Sequence, residues 1–469
     1  MSAERTDLIL KNATIVTQND RREILHEGAM AIHDGKIAAL GTTKEILARY
    51  EAGDELDLRD HIVFPGLINN HNHLFQVATK GLGEDMPVQD WVEVVTAPTA
   101  IHIRPEEMYI FCLAGCLEAI HCGVTTVVDM SYRAQHYEMH ENNIRAMLDS
   151  GLRGRYTTII SDFGEEYGVL PELISPYNWF IDQYTRLQAQ YPATDRMAVW
   201  LAIGAPWTIT DKGLAATIEY ANATRTPITM HINENGVDNQ ISQERHGMNM
   251  VPYLEQVGFL RSDLLAVHNV VTDQADIDLY VKHDVKISYN PISNMYLGSG
   301  IAPMVEMYKA GLKIGIGTDG AGSNNALDML ESMKVAALLQ KVAAQDASVI
   351  HAQTILDWAT RDAASSIWLE DEIGSLEPGK RADLFAVQLN TPKVVPVHDP
   401  VASLVYSCGE QNVVLTIANG RILMKDGIIQ HVDERTVLEQ CQTSATLLAD
   451  RCGSSARLVR RWRPARLQS

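Results

Sequence analysis

Apolar positions near the two ends of the chain alternate with polar ones. Between residues 7 and 40 the runs DLILKNATIVT and GAMAIHDGKIAALG show this alternation, and ADLFAVQLN and NVVLTIANGRILMKDGIIQ repeat it near the C-terminus. Alternation of this kind is typical of half-buried strands, and Asn-Gly or Asp-Gly between two such runs predicts a two-residue hairpin turn. We therefore predict a small all-β unit assembled from both chain ends. Three predicted turns lie within it: Asp34-Gly35, Asn419-Gly420 and Asp426-Gly427.

The middle of the chain has a different pattern. From about residue 62 to 376, short and almost continuously apolar runs such as GVTTVVDM and AVWLAIGA alternate with longer helical stretches such as PEEMYIFCLAGCLEAIHCG. Near-continuous apolar strands separated by helices are typical of a parallel sheet that is buried on both faces. We predict an α/β fold, a (β/α)₈ barrel of the TIM type, carrying a small β-sandwich built from both chain ends.

These patterns also predict the domain boundaries. Residues 1–62 and 377–435 are expected to form the composite β-sandwich, 63–376 the catalytic barrel, and 436–469 a C-terminal helix with a basic tail. The tail, RLVRRWRPARLQS, is interrupted by proline and is interpreted as a surface segment or a disordered end. An alternative is that it forms an arm that binds nucleic acid or a partner protein.

The charge of the chain narrows the class of ligand. With 39 Lys and Arg against 59 Asp and Glu, the formal net charge is −20, which disfavours nucleic acid and anionic membranes and favours a small, neutral or cationic substrate. No apolar run reaches 18 residues and the first residues are charged, so we expect a cytoplasmic protein with no membrane partner. The six cysteines form no CxxC pair, which argues against a zinc ribbon and against a disulfide framework.

Ligand-type side chains end several of the predicted barrel strands. His71 and His73 close the run HIVFPGLINNHNHLF, and two histidines two residues apart on an extended segment point to the same side. His231 follows TPITM, His268 follows LLAV, and Asp319 follows LKIGIGT. Because the active site of a parallel barrel is built at the carboxyl ends of its strands, we expect these five side chains to converge.

This set of side chains suits a catalytic metal. Zinc in such a site has three or four nitrogen or oxygen ligands and one open position, where a bound water becomes a nucleophile at neutral pH. Glu234 lies three residues beyond His231 and could move a proton beside the metal. Alone, Glu234 would be interpreted as a solvated loop carboxylate and His268 as a buried strand-end histidine. Their spacing from the predicted ligands favours catalytic roles for both.

The motifs together resemble the amidohydrolase superfamily. The resemblance spans nearly the whole chain and lies in the branch of the S-adenosylhomocysteine and methylthioadenosine deaminases and the triazine, phenylurea and thiocarbamate hydrolases. It implies that His71, His73, His231 and Asp319 hold the metal. The matching segments, in this order, are VFPGLINNHNH, GVTTVVDM, HINEN, NPISNMYLGSGIAPM, GIGTDGAGSNNALDMLESMK and IGSLEPGKRADL.

The same resemblance implies roles for the neighbouring residues. Glu234 matches the proton shuttle, and His268 matches the histidine that polarises the substrate or assists the water, so that Glu234, His268 and Asp319 form the expected catalytic set. One divalent ion per chain is expected, zinc in the first place, with Co²⁺, Fe²⁺ or Mn²⁺ as alternatives. No lysine lies between Lys80 and Lys212, where binuclear relatives carry a bridging carboxylated lysine, and this argues for one ion. A bridging Glu or Cys is the alternative that would still allow two ions. A homo-oligomer, a dimer or tetramer, is implied by resemblance only.

Two departures from the nucleoside deaminases bear on the substrate. Those enzymes read GPHAPY before the third metal ligand, whereas this chain reads AIGAPWT, with Gly204 in place of the histidine and Trp207 in place of the tyrosine. They also place an acid that holds ribose hydroxyls shortly after a proline, whereas here Pro98 is followed by Thr99 and Ala100. A site without hydrogen-bonding partners does not select hydroxyl groups strongly, so a nucleoside is disfavoured.

These departures lead to a ranked prediction of function. The function ranked first is that of a metal-dependent hydrolase. It would cleave a C–N, C–S or C–Cl bond in a small N-heterocycle, urea or carbamate, including xenobiotics such as herbicides. The alternative is hydrolytic deamination of a purine, pterin or adenosine derivative. A barrel without catalysis that serves as a scaffold is a rival from another class, but every expected ligand and acid is present. Five residues are predicted to line the substrate pocket: Phe75, Trp91, Gly204, Trp207 and Asn294.

Overall fold

The computed structural model describes residues 3–132 and 136–454. Its first five strands form the N-terminal part of a mixed sheet, and a helix, α1 (Thr43–Arg49), is inserted between the third and the fourth. The capping box of Thr42 and Glu45 starts this helix, because each side chain accepts from the other residue's backbone N–H. The five strands are β1 (Glu4–Val16), β2 (Ile24–His33), β3 (Lys36–Thr42), β4 (Tyr50–Asp57) and β5 (His61–Pro65).

Eight parallel strands follow and form a nearly closed barrel, as predicted. Each strand pairs with the next one along the chain, and all eight are almost fully buried. Asn69 connects the first strand to the end of the last one. Its side-chain N–H₂ group donates to the hydroxyl of Thr318, and its side-chain oxygen accepts from the backbone N–H of Thr318. The eight strands are β6 (Leu67–Asn72), β7 (Val124–Ser131), β8 (Arg153–Ile160), β9 (Met197–Ile203), β10 (Ile228–Ile232), β11 (Leu264–His268), β12 (Lys286–Tyr289) and β13 (Ile314–Ile316).

Helices connect the barrel strands and cover their outer face. A π-helical turn, Val92–Thr96, separates the second helix from the third. The helices are α2 (Val88–Trp91), α3 (Ala97–His102), α4 (Pro105–His121), α5 (Tyr137–Ser150), α6 (Tyr177–Gln190), α7 (Asp211–Thr224), α8 (Gly236–His246), α9 (Met250–Gln256), α10 (Gln274–His283), α11 (Pro291–Tyr296), α12 (Met304–Lys309), α13 (Met329–Ala344), α14 (Ala352–Ala359) and α15 (Arg361–Ser366).

The C-terminal strands complete the mixed sheet begun at the N-terminus, as the alternating pattern predicted. Strand β14 (Leu384–Gln388) pairs antiparallel with β5, and β15 (Val413–Ala418), β16 (Arg421–Lys425) and β17 (Ile428–Ile429) extend the sheet. All nine strands share one hydrogen-bonded sheet. The predicted turns connect β2 to β3, β15 to β16 and β16 to β17, and both residues of each turn have positive φ, as a type I′ turn requires.

A buried ion pair joins this sheet to the barrel. Arg153, at the start of β8, has a fully buried side chain and lies 3.2 Å from the carboxylate of Asp383, just before β14. The guanidinium group also donates to the side-chain oxygen of Asn419 in the hairpin between β15 and β16. The start of β14 and the hairpin between β15 and β16 are therefore held against the amino end of β8, on the face opposite the carboxyl ends.

Two further helices lie in the C-terminal part of the chain, α16 (Pro400–Tyr406) and α17 (Glu434–Arg451). The basic segment 457–469 lies outside the described residues. Within the described ranges no helix is both long and apolar enough to cross a membrane. All six cysteines are free thiols, and five of them are buried. The domain limits given above stay a prediction.

Candidate active site

The ligand-type side chains meet at the carboxyl end of the barrel. His71 belongs to β6 and His73 follows it, His231 belongs to β10, and Asp319 follows β13. Nε2 of His71 and Nε2 of His73 lie 3.3 and 3.2 Å from Oδ1 of Asp319. Nε2 of His231 lies 3.2 Å from Nε2 of His71. His71, His73 and Asp319 therefore form one cluster, and His231 adjoins this cluster through His71.

These four side chains fit a divalent metal. Tetrahedral zinc with ligands about 2.0–2.1 Å away separates its donor atoms by roughly 3.3 Å, which matches the His71–Asp319, His73–Asp319 and His71–His231 distances. Nδ1 of His231 lies 2.5 Å from the carbonyl oxygen of Gly204, and Nδ1 of His73 contacts the carbonyl of Met130. Each of these rings donates from Nδ1 and so directs an Nε2 lone pair at the centre, as in metal-binding histidines.

The protonation states of His71 and His231 agree with this role. Burial lowers the pKa of His71 to about 4 and holds the pKa of His231 well below its usual range. Both rings are consequently neutral at pH 7, and a cation between the two Nε2 atoms would satisfy both lone pairs. Nδ1 of His71 has no hydrogen-bond partner in the described part of the chain.

Asp319 is held as an ionised carboxylate. Burial alone would raise the pKa of Asp319, but the neighbouring His71 and His73 rings outweigh it and hold the pKa well below its usual range. Oδ2 accepts from the hydroxyl of Ser293 at 2.6 Å, and Oδ1 accepts from the backbone N–H of Gly320 at 2.9 Å. An anionic ligand at this position balances part of a divalent charge.

The backbone is strained at two of these strand ends. His268 and Asp319 have φ angles of 75° and 60°, in the left-handed region that residues other than glycine rarely adopt. The backbone N–H of Asp319 donates to the carbonyl of His71 at 3.0 Å, which holds the strained residue in place. Strain of this kind is found where the surrounding structure fixes a functional side chain.

Glu234 and His268 lie beside the four ligands. Nε2 of His268 is 3.8 Å from Oε2 of Glu234, whose side chain is 19% exposed. Burial raises the pKa of Glu234 to about 7, so both protonation states are populated near neutral pH. Nδ1 of His268 lies 2.9 Å from Oδ1 of Asn294, which leaves Nε2 directed toward Glu234. His71, His231 and His268 also place donor atoms within 4.8 Å of one another.

An apolar cleft opens from these residues toward solvent. Its wall includes Trp91, Gly204 and Trp207, three of the five residues for which a role in the substrate pocket was predicted. Phe75 and Asn294 lie elsewhere: Phe75 is 1% exposed in the main hydrophobic core, and Asn294 is buried behind His268. Tyr132, Ile159, Tyr167, Val169, Leu170 and Leu173 supply further apolar or aromatic lining.

A family model described as Amidohydrolase family matches residues 62–423, the barrel with most of the C-terminal strands. The chain belongs to the amidohydrolase family. Members use a divalent metal and hydrolyse C–N bonds other than peptide bonds, in agreement with the predicted enzyme class. The resemblance inferred from the sequence motifs is thereby confirmed.

Relatives of this amidohydrolase carry deaminase names. A 5-methylthioadenosine/S-adenosylhomocysteine deaminase of Lawsonia intracellularis is 33% identical over 432 residues, 92% of this chain and 95% of the relative. A 5′-deoxyadenosine deaminase of Methanosarcina mazei is also 33% identical, over 96% of this chain and 100% of the relative.

Solved structures share the fold. A zinc-bound adenosine deaminase from Xanthomonas campestris has a TM-score of 0.89 at 25% identity, covering 96% of this chain and 100% of that one. A triazine hydrolase variant has a TM-score of 0.88 at 24% identity, covering 93% and 99%. These comparisons favour the predicted alternative, a deaminase, over the xenobiotic hydrolase that the sequence argument placed first.

Sequence reasoning missed two carboxylates that line the cleft of this amidohydrolase. Asp238 lies in the first turn of α8 and accepts from the indole of Trp207 and from the backbone N–H of Glu234. Glu93 lies at the cleft in the π-helical turn after α2. A helical spacing of four from Glu234 could have indicated Asp238, but the π-turn that presents Glu93 has no sequence signal that we used.

Proposed function

We propose that this protein is a hydrolytic deaminase of an adenosine derivative of the 5′-deoxyadenosine or 5′-methylthioadenosine type. The observation that carries the proposal is the pair of deaminases that match nearly the whole chain at 33% identity. The geometry agrees with it, because a set of metal-binding side chains and a proton-transfer group lie at the deep end of a cleft with aromatic walls.

His71, His73, His231 and Asp319 would hold one divalent ion, with zinc the best fit to the spacing of their donor atoms. Such an ion supplies Lewis-acid activation of water at neutral pH. The lysine-free stretch between Lys80 and Lys212 supports a single ion.

Glu234 would carry protons during the reaction. With a pKa of about 7 it can accept a proton from the attacking water and then deliver it to the ring nitrogen or to the departing amine. Water adds to the carbon that bears the amino group, the C–N bond breaks, and ammonia leaves while a C=O bond forms. His268 donates from Nδ1 to Asn294, so its Nε2 would accept a hydrogen bond from the attacking water.

The cleft removes one argument against a nucleoside. Ala100, which occupies the place of the ribose-binding acid, is buried in an apolar cluster and cannot hold a hydroxyl group. Glu93 places an exposed carboxylate in the same cleft, one helical turn beyond Gln89. A carboxylate accepts hydrogen bonds from two neighbouring hydroxyl groups, so Glu93 would take the sugar in place of the missing acid.

The walls of the cleft suit the remainder of such a substrate. Trp91 and Trp207 offer flat apolar surfaces against which a purine or an apolar 5′ group can pack. Tyr167 meets Trp207 edge to face, with ring centroids 6.5 Å apart, and extends this surface. An apolar 5′ substituent is therefore expected to bind better than a free 5′-hydroxyl group.

Hydrolysis of a triazine, phenylurea or thiocarbamate is the second candidate. It is favoured by the mainly apolar lining and by Gly204, which presents no polar side chain to the substrate. The likeness to the triazine hydrolase variant concerns the fold alone. Assembly into a dimer or tetramer and a cytoplasmic location stay predictions.

A turnover screen separates the two candidates. The metal-loaded enzyme is incubated with 5′-deoxyadenosine, 5′-methylthioadenosine, S-adenosylhomocysteine, adenosine, a triazine, a phenylurea and a thiocarbamate, with detection of ammonia and product masses. We expect ammonia release from the 5′-modified nucleosides, with higher kcat/KM than for adenosine. Turnover of the triazine or the phenylurea without deamination of any nucleoside would refute the proposal.

A further inference from the structure

Asp238 is a buried carboxylate whose two oxygen atoms have different partners. It lies in the first turn of α8, four residues after Glu234, and is 5% exposed. Oδ1 accepts from Nε1 of Trp207 at 2.7 Å, and Oδ2 accepts from the backbone N–H of Glu234 at 2.8 Å. One side chain thus connects the aromatic wall of the cleft to the residue proposed to transfer protons.

The hydrogen bond between Asp238 and Trp207 fixes the orientation of the indole in the wall of the cleft. Nε1 is the only polar atom of the indole, and a buried donor needs a partner, so the bond to Asp238 selects one orientation of the ring. Trp207 belongs to a short 3₁₀ turn, Pro206–Thr208, and its side chain borders the cleft. Tyr167 packs on it edge to face. Loss of the bond would leave the indole free to change the shape of the cleft.

The bond to the Glu234 backbone fixes the proton-transfer group. Glu234 follows Asn233, which has a φ of 52°, in a loop that leaves β10 for α8. The hydrogen bond from the backbone N–H of Glu234 to Asp238 fixes the position of the Glu234 backbone. From there the Glu234 side chain extends until its Oε2 lies 3.8 Å from Nε2 of His268. A displacement of about 1 Å in a group of this kind can cost about a hundredfold in rate.

We propose that Asp238 is a positioning residue that couples substrate packing on Trp207 to the placement of Glu234. The inference rests on the proposed role of Glu234 in proton transfer, and it holds for whichever substrate packs on Trp207. Because Trp207 and Glu234 bond different oxygen atoms of Asp238, the two effects can be separated: Trp207 acts on KM and Glu234 on kcat.

The test is a double-mutant cycle with W207F and D238N in the metal-loaded, full-length enzyme. W207F removes the indole donor and keeps an aromatic ring, so KM is expected to rise severalfold with kcat nearly unchanged. In D238N the single amide oxygen can accept from only one of the two donors, and the amide N–H₂ group faces the other. We expect kcat to fall about tenfold or more in this variant.

The double variant gives the decisive comparison. Without the indole N–H, the amide oxygen of D238N is free to accept from the Glu234 backbone, so D238N should cost clearly less in kcat in the W207F background than alone. Equal losses in both backgrounds would overturn the proposal, because a purely structural role predicts additive effects. If D238N does not fold, the same cycle is measured with D238E, which keeps the carboxylate but moves it by one methylene group.

Asp328 provides a matched control. It starts α13 and accepts from the backbone N–H groups of Leu330 and Glu331, but it does not line the cleft. D328N should lower the temperature of unfolding without changing kcat or KM. The substrate in the cycle is 5′-deoxyadenosine or, if no nucleoside is deaminated, the compound that the turnover screen identifies. Failure of the proposed substrate therefore shows in the screen, whereas failure of the coupling shows in the cycle.

Discussion

Replacing Glu234 with glutamine tests the proposed chemistry most directly. Glutamine has nearly the same shape and keeps a hydrogen-bonding end group, but it cannot exchange a proton. Proton transfer by a positioned side chain contributes about 10²- to 10⁴-fold to a rate, which corresponds to roughly 3–5 kcal/mol of transition-state stabilisation. Because burial raises the pKa of Glu234 to about 7, this residue can act both as a base and as an acid near neutral pH. We expect kcat of E234Q to fall by at least about a hundredfold.

The assay is steady-state release of ammonia together with metal content per chain. The four proposed metal ligands are other side chains, so E234Q is expected to keep its full metal content. E166Q, which removes an exposed carboxylate that does not line the cleft, serves as the matched control and should leave kcat unchanged. A metal-loaded E234Q enzyme that retains more than a tenth of the kcat would refute the role in proton transfer.

Four other results are expected. In the unaltered enzyme, kcat/KM should rise with pH through about 7 as the Glu234 carboxyl loses its proton, and this limb should be absent in E234Q. Chelation should abolish turnover and lower the temperature of unfolding, and added Zn²⁺ should restore both, since a ligand that binds only the folded state stabilises it; activity that persists without metal would contradict this. E93Q should raise KM for 5′-deoxyadenosine about tenfold and leave KM for adenine or a triazine unchanged, whereas an equal effect on all three would exclude a sugar contact. D383N should lower the free energy of unfolding by about 2 kcal/mol, measured with urea, because it removes the nearer of the two carboxylates beside buried Arg153 and leaves Asp195 at 3.8 Å; a change under about 1 kcal/mol would contradict this.

Local chemistry explains why the turns and strands of the mixed sheet could be predicted. A type I′ turn needs positive φ at two adjacent residues, and Asp-Gly and Asn-Gly supply it without help from the rest of the protein. The convergence of His71, His231 and Asp319 was also predictable, because parallel strands bring their carboxyl ends to one edge whatever the details of packing.

The cleft was harder to predict, because its lining depends on how the loops fold back over the barrel. Phe75 follows His73 closely, but a 3₁₀ turn over Leu74–Thr79 directs it into the core. Asn294 was expected to meet substrate and instead supports His268 from behind. Glu93 reaches the cleft through a π-helical turn, a feature that hydrophobic periodicity does not reveal. The argument against a nucleoside considered Gly204 and the stretch 98–100 and so missed this carboxylate.

The pairing of β5 with β14 has a consequence for synthesis of the chain. Strand β5 directly precedes β6, which carries His71, yet its partner β14 emerges from the ribosome only after the whole barrel has been made. Until then β5 presents an unpaired edge, and exposed edges of this kind pair with other chains. Nascent or truncated chains that end before Leu384 are therefore expected to aggregate or to need a chaperone, although every proposed metal-binding residue is already present.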